Sequence, residues 1–421
     1  MATSTVERDA PGAVTLPPAI SADSHVIEPP EAFSKHIDAA FRDRVPRVVH
    51  DDVKGDLYVV DGLPAPISIP SVSACGRIPR AVPDADGKLE YWFDEARAPY
   101  PDAPYADGPQ PAPPRHMGSM TFADTPPGGW QAAARLIDQD RDGVIAEVLY
   151  PTMGMVLCNH PDPAFQYACF RAYNLWLEEL VADAPERLFG IGQTALRSVE
   201  EGIEDLHRIK RQGFVGVMLP GDPPIEAEWF DEAFYPLWEA SIELDLPVSF
   251  HTLASGRNKR AASDLLTVGK SKNVNFGMEV LRANQDAITD FVLGGVFERY
   301  PALKLVCVEA GAGWIPDYIN RMDHFYHHHR ALYKVEDMER LPSEYFFENV
   351  YVTLQNDPVA LALIDRLNPK RLLWANDYPH SDATWPWSRN ILAEQTRGLT
   401  DEQRRWLVRD NVKALYKLPV G

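Results

Sequence analysis

From residue 146 onward the chain alternates short apolar runs with longer segments whose apolar residues recur every three or four positions. The first kind reads as buried strand and the second as amphipathic helix. Strands are expected at AEVLYPT (146–152), LFGIGQTAL (188–196), FVGVMLP (214–220), LPVSFHT (246–252), LKLVCVEA (303–310), NVYVTLQ (349–355) and RLLWAND (371–377). Helices are expected over 165–181, 199–213, 231–244, 279–299, 314–330 and 358–367, with a helical tail to Tyr416. Gly213 supplies the stop for the second of them. ISADSH (20–25) adds one strand at the front. Strict strand–helix alternation with short connections demands parallel strands, and eight of them close into a (β/α)8 barrel.

One interval breaks this rhythm. About 120 residues separate the first two strands, too many for a plain connection. The stretch 45–128 is rich in Pro, Gly and Asp and holds short strand-like pieces, RVVHDD, LYVV and LEYWF. A helix at 130–142 then leads into the second strand. The stretch reads as an inserted lid or oligomerisation segment within a single barrel domain, 19–421. A second long connection, 253–278, follows strand five at the same end of the barrel. Residues 1–18 lack the basic and apolar regions of a signal peptide and are expected to form a loose arm.

Composition narrows the partners. A formal net charge of -20 argues against nucleic acid and against an anionic membrane surface. A small anionic substrate stays compatible, because the local field of a pocket can oppose the net charge. No apolar run is long enough to span a bilayer. Cys75, Cys158, Cys169 and Cys307 are scattered, with no CxxC pair, which excludes a zinc ribbon and a thioredoxin-like motif. Such thiols read as reduced, and the expected compartment is the cytoplasm.

Active sites of such barrels lie at the C-terminal ends of the strands. Strand one ends Asp23-Ser24-His25, and residues two apart on a strand share a face. Strand five ends in His251, strand six in Glu309 and strand eight in Asp377. Imidazole and carboxylate together suit Zn²⁺, Mn²⁺ or Fe²⁺. A single histidine at a strand end is ordinarily a hydrogen-bonded loop residue. Converging carboxylates, however, would repel one another and lose hydration, and a divalent cation offsets both costs.

Further residues carry two readings each. His380 and Asp382, in DYPHSDATWP, are either loop caps or, for His380, a group that contacts substrate or moves a proton. Glu28 either supports the first-strand pair or caps the next segment. His324, His327, His328 and His329 resemble a metal tract but fit a helix face and its C-terminal end. Arg257, Lys259 and Lys270 read as a solvated loop or as a carboxylate anchor, and Trp385 and Trp387 as a pocket wall or a subunit contact.

The combination ADSHVIEPPEAF, LPVSFHT, GGVFERYPALKLVCVEAGAGWIPDYINRMD, RLLWANDYPH and RDNVKALYKL resembles the amidohydrolase-related metal-dependent enzymes of the aminocarboxymuconate-semialdehyde decarboxylase type. The resemblance covers most of 19–30 and 146–418 and leaves 45–128 without a counterpart. It implies that Asp23, His25, His251 and Asp377 hold one divalent ion, with zinc expected first and manganese or iron as alternatives. It implies for Asp377 a part in proton transfer, and it makes a homodimer the expected assembly. Many decarboxylase relatives carry a catalytic histidine where this chain has Glu309. The expected activity is non-oxidative decarboxylation of a small carboxylated aromatic or dienoic compound, with Asp377, Glu309 and His380 as catalytic candidates. The alternatives are metal-dependent hydrolysis of an ester, lactone, amide or C–C bond, and a barrel that only binds.

Overall fold

The structure is a computed structural model that describes residues 14–63, 65–102, 115–255, 276–336 and 338–421. Its centre is one sheet of eight parallel strands. They are β1 (Ala19–His25), β2 (Val144–Tyr150), β3 (Leu188–Gln193), β4 (Gly216–Met218), β5 (Val248–His251), β6 (Leu305–Val308), β7 (Val350–Leu354) and β8 (Leu372–Trp374). Each pairs with the next along the chain, as strand–helix alternation requires. The first and last strands meet through bonds just beyond β8. Asp377 N–H donates to the Asp23 carbonyl at 3.0 Å, and His25 N–H donates to the Tyr378 carbonyl at 2.7 Å. The expected (β/α)8 barrel is thus formed, and its seam passes through the candidate site.

Both faces of the strands are apolar, which is why they read as continuous runs. Ile20, Ala22, Val148, Ile191, Val306 and Leu373 fill the barrel interior. Val217, Phe250, Cys307 and Trp374 face the surrounding helices. Burying each large aliphatic side chain contributes about 1.5–3 kcal/mol.

The helices begin and end where the local chemistry allows. Ser198 accepts from the Glu201 N–H at the start of Val199–Arg211, whose first turn is acidic and whose last turn is basic. Asp162 caps Pro163–Ala182 in the same way. The single helix expected over 279–299 is instead two, Phe276–Leu293 and Val296–Arg299. The break falls at Gly294-Gly295, where Gly295 has φ 76°, a conformation costly for other residues. The segment expected as helix over 358–367 gives only Pro358–Ala362 and a 3-10 turn, Ile364–Arg366. Among the described residues no helix is long and apolar enough to cross a membrane.

Between β1 and β2 the chain builds two small antiparallel sheets outside the barrel. One joins Arg47–Asp51, Gly55–Val59 and Ile67–Ser68, and the other Pro79–Pro83, Leu89–Phe93 and Arg115–His116. This excursion is tied to the barrel at its catalytic end. The buried Tyr58 hydroxyl donates to the Glu28 carbonyl at 2.6 Å. The N–H groups of Cys75 and Gly76 donate to the carbonyls of Pro379 and His380 at 2.9 and 3.0 Å.

Candidate metal centre

The first-strand pair reaches the barrel axis through a register irregularity. On β1, Ile20 and Ala22 face the interior, so simple alternation would turn Asp23 and His25 toward the helices. Between Ser21 and Ser24 the pairing with β2 shifts: three steps on β1 stand against two on β2. The extra residue re-aims Asp23 and His25 inward. Strands six and eight use another device. Glu309 follows directly on β6, and Asp377 stands three residues past Trp374, the last residue of β8; both lie in the left-handed region, with φ of 59° and 53°. Such backbone costs about 1–3 kcal/mol at a non-glycine residue and is found where a side chain must be aimed.

These devices, with His251 on β5, bring the expected residues together. His25 Nε2 lies 3.3 Å from Asp23 Oδ1 and 3.4 Å from Asp377 Oδ1. His251 Nε2 lies 3.6 Å from Asp23 Oδ1, and His380 Nδ1 lies 3.5 Å from Asp377 Oδ1. Glu309 stands slightly apart, its Oε2 accepting from the Thr252 hydroxyl and lying 3.6 Å from His251 Nδ1. The Ala312 and Gly313 N–H groups, which Glu309 could otherwise have held, donate to Asp357 at 2.7 and 2.9 Å. Asp23, His25, His251 and Asp377 have no exposed side-chain surface, whereas Glu309 keeps 17% and His380 9%. The last two therefore face the open side.

The outer nitrogens of both buried histidines are committed. His25 Nδ1 is 3.0 Å from the Pro151 carbonyl, and His251 Nδ1 is 3.0 Å from the Thr252 carbonyl. A carbonyl only accepts, so each Nδ1 carries a proton and each Nε2 is turned toward the carboxylates. A carbonyl behind a ligating imidazole is the usual way to orient it. Both oxygens of Asp23, both of Asp377 and the two Nε2 atoms are buried without a hydrogen-bond partner. Each such group costs about 1–3 kcal/mol if nothing meets it. Asp23, His25 and His251 offer ligand atoms mutually within 4.8 Å, as do His25, Asp377 and His380. Two buried triads of nitrogen and carboxylate ligands that share His25 fit a divalent cation.

The electrostatics agree. Burial raises Asp377 well above the usual carboxylate range, and the Asp23 charge adds to it. Glu309 is pushed up to about 8 by burial and by Asp377. Burial lowers His251, but the Asp23 carboxylate 3.6 Å away outweighs it, with Glu309 adding, and carries the ring up to about 9. Burial takes His25 and His380 down to about 3. Without a cation, the cluster therefore keeps protons on His251, Asp377 and Glu309 at neutral pH. A cation on His251 Nε2 must displace a proton. Adding one equivalent of Mn²⁺ or Zn²⁺ at pH 7 is expected to release at least one proton per ion, read with an indicator dye in weak buffer. Apparent affinity should rise about tenfold per pH unit for each displaced proton until pH passes the His251 value of about 9. Binding that is independent of pH between 6 and 8 would contradict this.

Residues that the pattern of the chain did not single out hold the cluster. Arg135, wholly buried on the helix Ala132–Asp142, pairs with Glu147 of β2. It also donates to the carbonyls of His25 at 2.7 Å and Gly128 at 3.1 Å, and reaches that of Tyr378 at 3.4 Å. An arginine at helical spacing reads as surface; the signal available was Glu147, a charge inside an apolar strand. Arg135→Met should cost about 3 kcal/mol or more in urea unfolding, since it leaves Glu147 buried without its cation. A loss below about 1 kcal/mol would show the pair to be dispensable. Glu28, for which the sequence left two readings open, is buried and accepts the N–H groups of Thr152 and Met153 at 3.0–3.1 Å, which holds the turn after β2.

Other candidates fall elsewhere. His324, His327, His328 and His329 are exposed on the outer helix Ile315–Tyr333. Asp382 is exposed. Trp385 packs against Tyr378 and donates to the Asp138 carbonyl at 3.2 Å, and Trp387 is half-buried. Arg257, Lys259 and Lys270 lie outside the described residues.

Comparison with known proteins follows the same lines. A gamma-resorcylate decarboxylase from a Polaromonas species is 26% identical over 265 residues, which are 59% of this chain and 76% of that protein. A 2-amino-3-carboxymuconate-6-semialdehyde decarboxylase from Dictyostelium discoideum is 25% identical over 256 residues, 59% of this chain and 67% of that protein. Among solved structures, an amidohydrolase from Mycobacterium avium subsp. paratuberculosis K-10 shares the fold with a TM-score of 0.69 at 21% identity, covering 94% of this chain and 98% of that one. At that coverage most of the excursion lies within the span of a solved relative. The dihydroxybenzoic acid decarboxylase structure from a Polaromonas species, with bound manganese and 2-nitroresorcinol, has a TM-score of 0.52 at 23% identity over 68% of this chain and 86% of that one. Residues 86–418 match the amidohydrolase family model. Barrel, buried cation-shaped cluster and sequence match agree, and the chain is an enzyme of the amidohydrolase family.

Proposed function

We propose that this enzyme is a non-oxidative decarboxylase of a small carboxylated aromatic or dienoic acid. The observation that carries the reading is Glu309. It is a carboxyl group on the open side of the cluster, held up to about 8 by its surroundings. Burial, the larger cause, does not depend on the Asp377 and Asp23 charges that an ion would offset, and a carboxyl group raised in this way is a donor, which suits protonation of carbon better than activation of water. Two curated relatives named as decarboxylases support the same choice.

In this reading Asp23, His25, His251 and Asp377 hold the ion. When bound it supplies Lewis acidity and a fixed positive charge for an anionic substrate. The Thr252 hydroxyl bonds Glu309 Oε2, so the Glu309 proton sits on Oε1. Glu309 delivers it to the carbon bearing the carboxylate. The new C–H bond forms, the C–C bond breaks, CO₂ leaves with no change of oxidation level, and solvent reprotonates Glu309. His380 stacks on His25 with centroids 3.7 Å apart and presents Nδ1 beside Asp377, where it contacts substrate. The excursion, bonded to Pro379 and His380, roofs the site and excludes water. Glu309→Gln should lower kcat more than tenfold with metal content unchanged. An unchanged kcat would remove Glu309 as the acid.

The donor set suits zinc, the ion expected from ligand type, and equally manganese, which related decarboxylase structures hold. A cytoplasmic homodimer is the proposed form, and all four cysteines are free thiols. The reading is tested by incubating protein loaded with each metal with 2,6-dihydroxybenzoate, 5-carboxyvanillate and related aromatic and dienoic acids. CO₂ release with one deuterium entering the product from D₂O is expected. Hydrolysis of esters or lactones without CO₂ from any acid would replace the reading with the hydrolase one.

A further inference from the structure

We propose that Thr152 is a positioning residue that fixes the tautomer of His380, so that Nδ1 and not Nε2 is offered to the site. Two hydrogen bonds meet at the Thr152 hydroxyl and run in opposite directions. The Thr152 hydroxyl lies 2.6 Å from the Val26 carbonyl, and a carbonyl can only accept. The single hydroxyl proton is therefore spent there. The same oxygen lies 2.7 Å from His380 Nε2, so that contact is made with a proton from the ring. His380 Nε2 is protonated, and in the neutral ring Nδ1 keeps its lone pair. Nδ1 lies 3.5 Å from Asp377 Oδ1.

The neighbouring residue does the opposite to the neighbouring ring. The Pro151 carbonyl takes the Nδ1 proton of His25 and leaves Nε2 free, 3.4 Å from the same Asp377 Oδ1. Two consecutive residues after β2 thus set two stacked imidazoles, 17° from parallel, in opposite tautomers with both free nitrogens on one carboxylate oxygen. Only a rigid turn can do this. The Glu28 carboxylate supplies that rigidity by accepting the N–H groups of Thr152 and Met153. Thr152 is itself 2% exposed, and its hydroxyl has no other protein partner among the described residues than Val26 and His380. The inference rests on the reading that His380 faces the substrate.

Two measurements on the metal-loaded enzyme test it. Neutron diffraction of the deuterated wild-type protein without substrate reads the tautomer directly. Deuterium on His380 Nε2 is expected, and deuterium on Nδ1 alone overturns the proposal. This outcome is independent of which substrate is turned over. Kinetics with the best substrate from the acid panel read the consequence. Thr152→Val keeps the shape and both methyl-sized branches but removes the acceptor. It should lower kcat roughly 10–100-fold, the usual effect of losing an outer-shell partner, with KM within about twofold and metal content unchanged. Thr152→Ser should restore kcat to within about threefold of wild type. In a His380→Ala background, Thr152→Val should have no further effect on kcat. An equal loss in that background, or no rescue by serine, overturns the proposal, because the hydroxyl would then act on packing and not through His380. If no acid is decarboxylated, the proposed reaction fails while the neutron result still decides the tautomer.

Discussion

Asp377→Asn is expected to lower kcat by roughly 10²–10⁴ while the protein stays folded and keeps metal at reduced affinity. Asp377 has φ 53°, and asparagine tolerates that left-handed conformation better than other side chains of its size. Its backbone N–H, which bonds the Asp23 carbonyl and closes the barrel seam, is untouched by the change. The loss is therefore chemical. The amide retains one oxygen but cannot hold or pass a proton. It also places an N–H in a space where both carboxylate oxygens are buried without a hydrogen-bond donor. One of those oxygens faces His25 Nε2 and His380 Nδ1 together, so no neighbour can take its place. Thermal unfolding, metal analysis and turnover on the same preparation separate the three effects. A fully active variant would remove Asp377 both from the hold on the ion and from proton transfer, whatever Glu309 does.

His251→Ala is expected to lose metal and activity together. The ring has no exposed surface, its Nδ1 is fixed by the Thr252 carbonyl, and its Nε2 faces Asp23 at 3.6 Å. Removing it takes away a nitrogen ligand and, in the metal-free protein, a positive charge set against Asp23. Asp23, Asp377 and Glu309 then face one another with less compensation, and the hold on an ion weakens as well. The removed ring also leaves a void beside Tyr150, whose ring centroid is 5.4 Å away. Metal content after dialysis and turnover with and without excess Mn²⁺ decide the matter. Full occupancy with full activity would take His251 out of the site.

Much of this enzyme is written locally. Strand and helix periods are properties of seven to twenty neighbouring residues, and they suffice to predict eight parallel strands and the long excursion after the first. Strand ends are equally local, so Asp23, His25, His251, Glu309 and Asp377 can be found by asking which strands stop on a metal-competent side chain. What the chain pattern could not supply was aim. On β1, alternation alone points Asp23 and His25 away from the interior, and only the shifted pairing with β2 turns them back. At Glu309 and Asp377 the left-handed backbone does the same work, held by partners far away in the chain, Thr353 for Glu309 and Asp23 for Asp377. The supports were hidden for the same reason. Arg135 looks like a surface residue until Glu147, His25 and Tyr378 are folded around it. Thr152 looks like the end of a strand until His380, 228 residues later, arrives on its oxygen. Periodicity records which face of an element is apolar, whereas the direction of a buried hydrogen bond depends on partners that only the closed barrel brings within 3 Å.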